Sequence, residues 1–256
     1  MGLHRNFADR FDGNLRIVSR FGGIDLPEEI AALRQRLDDF RLRAFNQGAL
    51  NAVVDGIITG DTDNISVAWA AACAEFALPD PGKSDLVDQV REKVNAAIRD
   101  AYRAVSVKNY LTIAALFDDH AQGFHSAAEV CDPTLDAEVV VAATEKVRKA
   151  WQASAAHAAE LNRIVPVLRA AAELAGICGA DPDDALDLCV DGNGIDRDQL
   201  LDAWRTEERE SAAAHYAASG HPFTTPPPTH TRCGRWSALR AAGAIIRAAQ
   251  PALAST

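Results

Sequence analysis

From Val140 to Cys178 the chain repeats every seven residues. One register reads Val140, Val147, Ser154, Leu161, Leu168 and Ala175, and a second, three residues on, reads Ala143, Ala150, His157, Ile164, Ala171 and Cys178. A seven-residue recurrence keeps one narrow seam facing a neighbouring helix along its whole length, which is the packing of coiled coils and helical bundles. The stretch therefore predicts a bundle helix of about 40 residues, roughly 60 Å long. Pro166 lies inside it, where it removes a hydrogen bond and crowds the preceding turn, so a kink or a break is expected there.

Two further stretches carry related patterns. Asp25 as N-cap, Pro27 in the first turn and the acids Glu28 and Glu29 mark a helix start. Its seam runs Ile30, Leu33, Leu37, Phe40, Ala44, Gln47, Asn51, Val54 and Ile58, and Gly60 stops it. A shorter helix is expected over about 63–78, ended by Pro79 and Pro81. A third long helix, about 85–120, is read from Val87, Val90, Val94, Ala97, Ala101, Ala104, Lys108, Leu111 and Ala115, with Ile98, Tyr102, Val105 and Leu116 beside them. A loop or short helix through Gly123 and His125 then leads to Cys131-Asp132-Pro133-Thr134, which restarts the chain into the heptad helix.

The two ends differ from this body. Residues 1–25 set Phe7, Phe11 and Phe21 among arginines, with breaks at Gly13 and Gly22-Gly23, and read as a short docking helix or turn. After Gly176 and Gly179 come a short helix near Ala185–Cys189, a turn at Gly192–Gly194 and a helix from about Asp196 to Ser219. Pro222, Pro226, Pro227 and Pro228 form a stiff linker over 221–231. Beyond it Trp236, Leu239, Gly243, Ile246 and Leu253 recur at helical spacing beside Arg235, Arg240 and Arg247, predicting a basic amphipathic helix over 232–256.

The fold class expected from these patterns is all-α: an elongated antiparallel bundle with coiled-coil-like heptad seams over 26–220, an N-terminal basic and aromatic segment over 1–25, and a C-terminal basic helix after the proline-rich linker. Alanine supplies about a fifth of the 256 residues and aromatics only 6%. Close-packed helices over a thin core follow. Arginine outnumbers lysine 21 to 5, which fits a high-GC coding bias.

Charge separates the ends from the middle. With four arginines against two aspartates in 1–21, and four arginines with no acid in 229–256, the net charge of -10 leaves about -16 on the span between. An acidic body repels a phosphate backbone, so nucleic-acid binding is confined to the ends. Cys73, Cys131, Cys178, Cys189 and Cys233 are odd in number, scattered and without a C-x-x-C pair, which argues for reduced thiols and a cytoplasmic setting. No apolar run reaches the ~20 residues of a membrane span, and no signal-peptide core follows the N-terminal arginines.

Two constellations bear on chemistry. If the long helices alternate in direction, Gln47, Asn51, Lys108, Ser154 and His157 fall at similar height on their seams. Buried polar groups are costly unless paired, so such a layer marks either a ligand pocket or a register device like the single Asn of some coiled coils. The second constellation is Asp118, Asp119, His120, His125, Glu129 and Cys131. In it His125 and Glu129, four apart, are weak metal candidates, read more simply as a solvated loop between helices. H-E-x-x-H and Glu-x-x-His are absent, as are Walker A, G-x-G-x-x-G, G-x-S-x-G and kinase signatures. Asp187, Asp191 and Asp198 only faintly follow a calcium loop, and Asp196 reads as a helix cap.

The expectation is thus a non-enzymatic helical interaction or assembly protein without a cofactor, of the accessory or phage-type structural kind found in high-GC bacteria. It would engage a protein partner or a second copy. Arg235, Trp236, Leu239, Arg240, Ile246 and Arg247 are the candidate docking residues of a detachable tail. The alternative is a small-ligand-binding protein or metal-assisted enzyme built on the polar layer.

Overall fold

The computed structural model describes residues 2–41, 50–60, 65–67, 69, 80–179, 181, 183–192, 194–206 and 232–251. Gln47, most of the helix expected over 63–78, the far end of that expected over 196–219, and the proline-rich stretch lie outside the described residues, as do the side chains of Phe7, Phe40 and Asn51. The protein is all-α, and its long helices pack as a bundle. It divides into two compact units, 1–109 and 110–256, and the boundary falls inside a helix.

The first unit holds α1 (Gly2–Ser19), α2 (Glu28–Arg41), α3 (Leu50–Thr59) and the first part of α4 (Asp80–Val130). Helix α1 runs straight through Gly13, which the sequence reading took for a break, because Leu15 and Val18 gain full burial just beyond it. In α2 the expected seam is realised at Ile30, Leu33 and Leu37. The single helix expected over 26–59 is not what forms, since the Arg36 guanidinium donates to the Ile57 carbonyl at 2.8 Å. Residues 21 apart in one straight helix would be roughly 30 Å apart, so α2 and α3 lie side by side. Gly60 ends α3 at φ 79°, beside the same guanidinium. Asp25 is not the α2 cap either: its amide donates to Asn109 Oδ1 at 2.9 Å, its carbonyl accepts from Asn109 Nδ2 at 2.7 Å, and its carboxylate meets Lys108 at 3.0 Å.

Helix α4 is 51 residues long and continues through Gly123 and His125 to Val130, where a loop or a separate short helix was expected. Its buried positions are Val90, Val94, Asn95, Ile98, Tyr102, Ser106, Asn109, Tyr110, Ile113, Ala114, Phe117, Ala121, Phe124, Ala127 and Ala128. They recur at helical spacing, so one stripe is buried along the described length of the helix. The expected seam positions Ala104, Lys108, Leu111 and Ala115 consequently face solvent.

In the second unit the remainder of α4 is followed by α5 (Ala137–Val141), α6 (Glu145–Leu174), α7 (Asp184–Cys189), β1 (Val190–Asp191), α8 (Arg197–Trp204), α9 (Gly234–Ala241) and β2 (Ile245–Ile246). Helix α6 is the heptad helix. It is shorter than expected, 30 residues, because a separate turn, α5, intervenes before Thr144 caps it by accepting from Val147 N. It buries Ser154, Leu161, Ile164, Leu168 and Ala171 as the seam foresaw, and it runs unbroken past Pro166. The far end closes at Gly176, φ 70°, short of the Cys178 to which the heptad pattern runs: Gly176 N–H returns to Glu173 O and Ile177 N–H to Ala172 O, the paired bonds of a Schellman motif. Helix α4 packs on α6 as an antiparallel hairpin, since His120, some ten residues before the turn, meets His157, some twelve beyond it. Asp196 caps α8 by accepting from Asp198 N at 2.7 Å, as read from sequence.

The C-terminal basic helix requires the largest correction. Helix α9 stops at Ala241 because Gly243, φ 85°, repeats the Schellman closure, with Gly243 N–H to Arg240 O and Ala244 N–H to Leu239 O. The chain then extends, and Val190 and Asp191 pair antiparallel with Ile246 and Ile245. Trp236 stands wholly buried, edge-on to Phe117 at 5.9 Å and to Trp204 at 5.8 Å, its indole N–H donating to Asn162 Oδ1 at 2.8 Å.

Candidate functional site

The hairpin corner between α4 and α6 is held by its backbone and leaves apolar side chains outside. Asp132 Oδ1 accepts from Thr134 N at 2.9 Å and from Thr134 Oγ1 at 2.7 Å, which fixes the turn at buried Pro133 and draws the Asp132 pKa down through those two bonds. From α6 the Trp151 indole N–H reaches Leu135 O at 3.0 Å and Arg148 reaches Val141 O at 3.2 Å. The Arg232 guanidinium lies 3.2 Å over the Trp151 ring and donates to Trp151 O. On this pinned frame Val130, Leu135, Val139 and Val141 are 40%, 39%, 57% and 70% exposed, with Glu129, Asp132, Asp136 and Glu138 exposed around them. Four apolar side chains are thus left exposed on a fixed backbone.

Farther along the hairpin, one residue from each expected constellation meets the other. His120 Nδ1 and His157 Nδ1 are 3.2 Å apart, the rings tilted by 58°. Neutral rings satisfy this contact only with complementary tautomers, one Nδ1 carrying the proton and the other accepting it. Gly123 makes room, since a Cβ there would overlap the His157 ring. The remaining polar-layer residues are accounted for singly. The Lys108 side chain is 70% exposed and paired with Asp25, so it is not a buried group. Ser154 Oγ donates to Trp151 O at 2.8 Å within its own helix and accepts from the Cys233 thiol at 3.8 Å.

The tail segment is clamped from two sides. Amides of an extended chain point alternately left and right. On one side Arg247 N donates to Cys189 O at 3.0 Å and Ala249 N to Leu188 O at 2.9 Å. On the other no strand is present among the described residues, and α4 supplies side chains instead: Ile246 N donates to His125 Nε2 at 3.3 Å and Ala248 N to Asp118 Oδ1 at 2.6 Å. Tyr110 completes the row by donating its hydroxyl to Ala249 O at 2.6 Å. His125 is therefore an acceptor for backbone, with its lone pair taken, while Glu129 is exposed on the corner, so the weak metal pair is not assembled. Of the tail residues proposed for docking, Trp236, Leu239 and Ile246 are buried in the same unit, Arg235 stacks 4.5 Å above Trp204, and exposed Arg247 pairs with Asp191. Asp187, the start of the faint calcium loop, holds Arg197 through both oxygens at 2.9 and 3.0 Å.

Burial raises the pKa of the Cys131, Cys189 and Cys233 thiols, so none is poised as a nucleophile. His125 and His157 are held below the ordinary imidazole value of 6.5. Burial is the main cause for both; Arg240 adds to it at His125, where Glu129 and the Ile246 bond oppose it, and His120 adds to it at His157. With a depressed imidazole pKa, the unfolded chain takes up the proton first as pH falls, so stability is lost from about pH 6.5 downward to the folded-state values. Asp118 works the other way: burial raises its pKa against the Ala248 bond and Arg247, so the folded chain holds that proton more tightly than the unfolded one. The unfolding free energy in urea is expected to be lower at pH 5.5 than at pH 7, with a smaller drop in His125→Gln, whose amide oxygen still accepts from Ile246 N. Equal drops in the two proteins would remove His125 from this account.

Asp118 and His125, seven apart on one helix face, were legible as a pair only once the helix was known to run through Gly123. The role of Trp151 had no sequence signal, because its partners lie 16 and 81 residues away. Among the described residues no helix is long and apolar enough to cross a membrane. No family model matches the chain, and no curated protein or solved structure matches it either.

Proposed function

We propose that this protein is a non-enzymatic helical interaction protein whose contact surface is the hairpin corner over 130–141. The observation that carries the reading is the set Val130, Leu135, Val139 and Val141, all exposed on a backbone pinned by Trp151 and Arg148. Such a surface suits a partner with an apolar patch edged by basic side chains, because Glu129, Asp132, Asp136 and Glu138 border it. A reducing, cytoplasmic setting fits Cys131, Cys178, Cys189 and Cys233, none of which forms a disulfide.

A photo-crosslinker at position 141 tests this in cells and identifies the partner, with sedimentation of the purified chain showing whether that partner is a second copy. Val139→Asp with Val141→Asp should leave the helical signal and the melting temperature nearly unchanged, since both side chains are exposed. The double variant should weaken the identified complex by a factor of ten or more, on the order of 2 kcal/mol for two valines kept from burial. An unaltered affinity, or crosslinks no stronger than at exposed Leu111, would contradict the assignment.

A further inference from the structure

The paired histidines of the α4–α6 hairpin bring two imidazole nitrogens within 3.2 Å of each other. We propose that His120 and His157 form a binding site for a divalent first-row transition metal, zinc being the ion tested below. The site is independent of the corner surface and does not rest on the function proposed for it.

The argument begins with the distance. Two Zn–N bonds of about 2.0–2.1 Å close a triangle on a 3.2 Å Nδ1–Nδ1 separation at an angle of about 100°, close to tetrahedral. Imidazole suits zinc, copper and nickel, whereas calcium and magnesium take oxygen ligands. Neutral histidines are the binding form, and the ring whose Nδ1 carries the shared proton binds as its other tautomer, that proton moving by way of solvent to its own Nε2.

Placement supports the same conclusion. The two ligands come from different helices, so their approach is set by the packing of α4 on α6 and not by the flexibility of one loop. Gly123 lets the His157 ring lie against the α4 backbone, which holds it in position before any ion arrives. Both residues are half-buried, leaving an approach from solvent. Among the described residues no group of three or more His, Cys, Asp or Glu forms a complete ligand set, so water supplies the remaining positions and the site is open.

The test is titration of the full-length, metal-free protein with zinc by calorimetry, and with cobalt by visible absorption. Expected are one zinc site lost or weakened at least tenfold in both His120→Ala and His157→Ala, and a tetrahedral cobalt spectrum without thiolate charge-transfer bands. Gly123→Ala retains both ligands but displaces a ring, and should weaken the site while circular dichroism stays native. Zinc stoichiometry and affinity unchanged in the two alanine variants would overturn the proposal. A cobalt spectrum dominated by thiolate bands would do the same.

Discussion

Trp236→Ala should destabilise the protein by about 3–5 kcal/mol, the range for truncating a buried aromatic. The side chain is fully buried, packs edge-on against Phe117 and Trp204, and spends its only polar group on Asn162. Truncation removes the apolar area, opens a cavity between α4, α8 and α9, and leaves the Asn162 oxygen without its donor. Urea unfolding followed by circular dichroism measures the loss. If α9 were a detachable docking helix, the same substitution would leave the unfolding midpoint of the body in place, and that outcome would return the tail to the role its charge suggested.

Asp118→Ala carries the second large expectation, a loss of about 1–3 kcal/mol concentrated in the tail. The carboxylate is the acceptor for Ala248 N, and alanine leaves that amide without a partner. Strand β2 is only two residues long, so side chains from α4 do the work of a neighbouring strand. Amide exchange should accelerate most at Ile246, Arg247, Ala248 and Ala249, while amides near Leu161–Leu168 in α6 remain slow. Uniform acceleration across both groups would mean that the tail unfolds only with the whole unit. Unchanged exchange at Ala248 would show that the bond contributes nothing.

Arginine use explains why the tail was misjudged. Four arginines without an acid looked like a surface for a distant acidic partner, but Arg232 and Arg235 lie over the faces of Trp151 and Trp204, and Arg247 pairs with Asp191. A guanidinium is a planar group that stacks as readily as it pairs, and net charge cannot distinguish the two uses. Gly243 had the same ambiguity. Counted as a seam position it extended a helix to 256, whereas its φ of 85° makes it the residue that ends one.

What the amino-acid sequence determined by itself was local. It set the all-α class, the heptad face of α6, the cap at Asp196 and the stop at Gly60, because each depends on residues within a turn or two of one another. The tertiary structure decided which face of α4 is buried. Alanines at 97, 101, 104, 114 and 115 make several faces nearly equal in hydrophobicity, and Tyr102, Tyr110, Phe117 and Phe124 break the tie by the aromatic area they bury. It also decided that Lys108 turns outward, that His120 meets His157 across 37 residues, and that Tyr110, Asp118 and His125 hold a tail more than 120 residues away. Those contacts rest on distances through space between helices, which no periodicity along a single helix encodes.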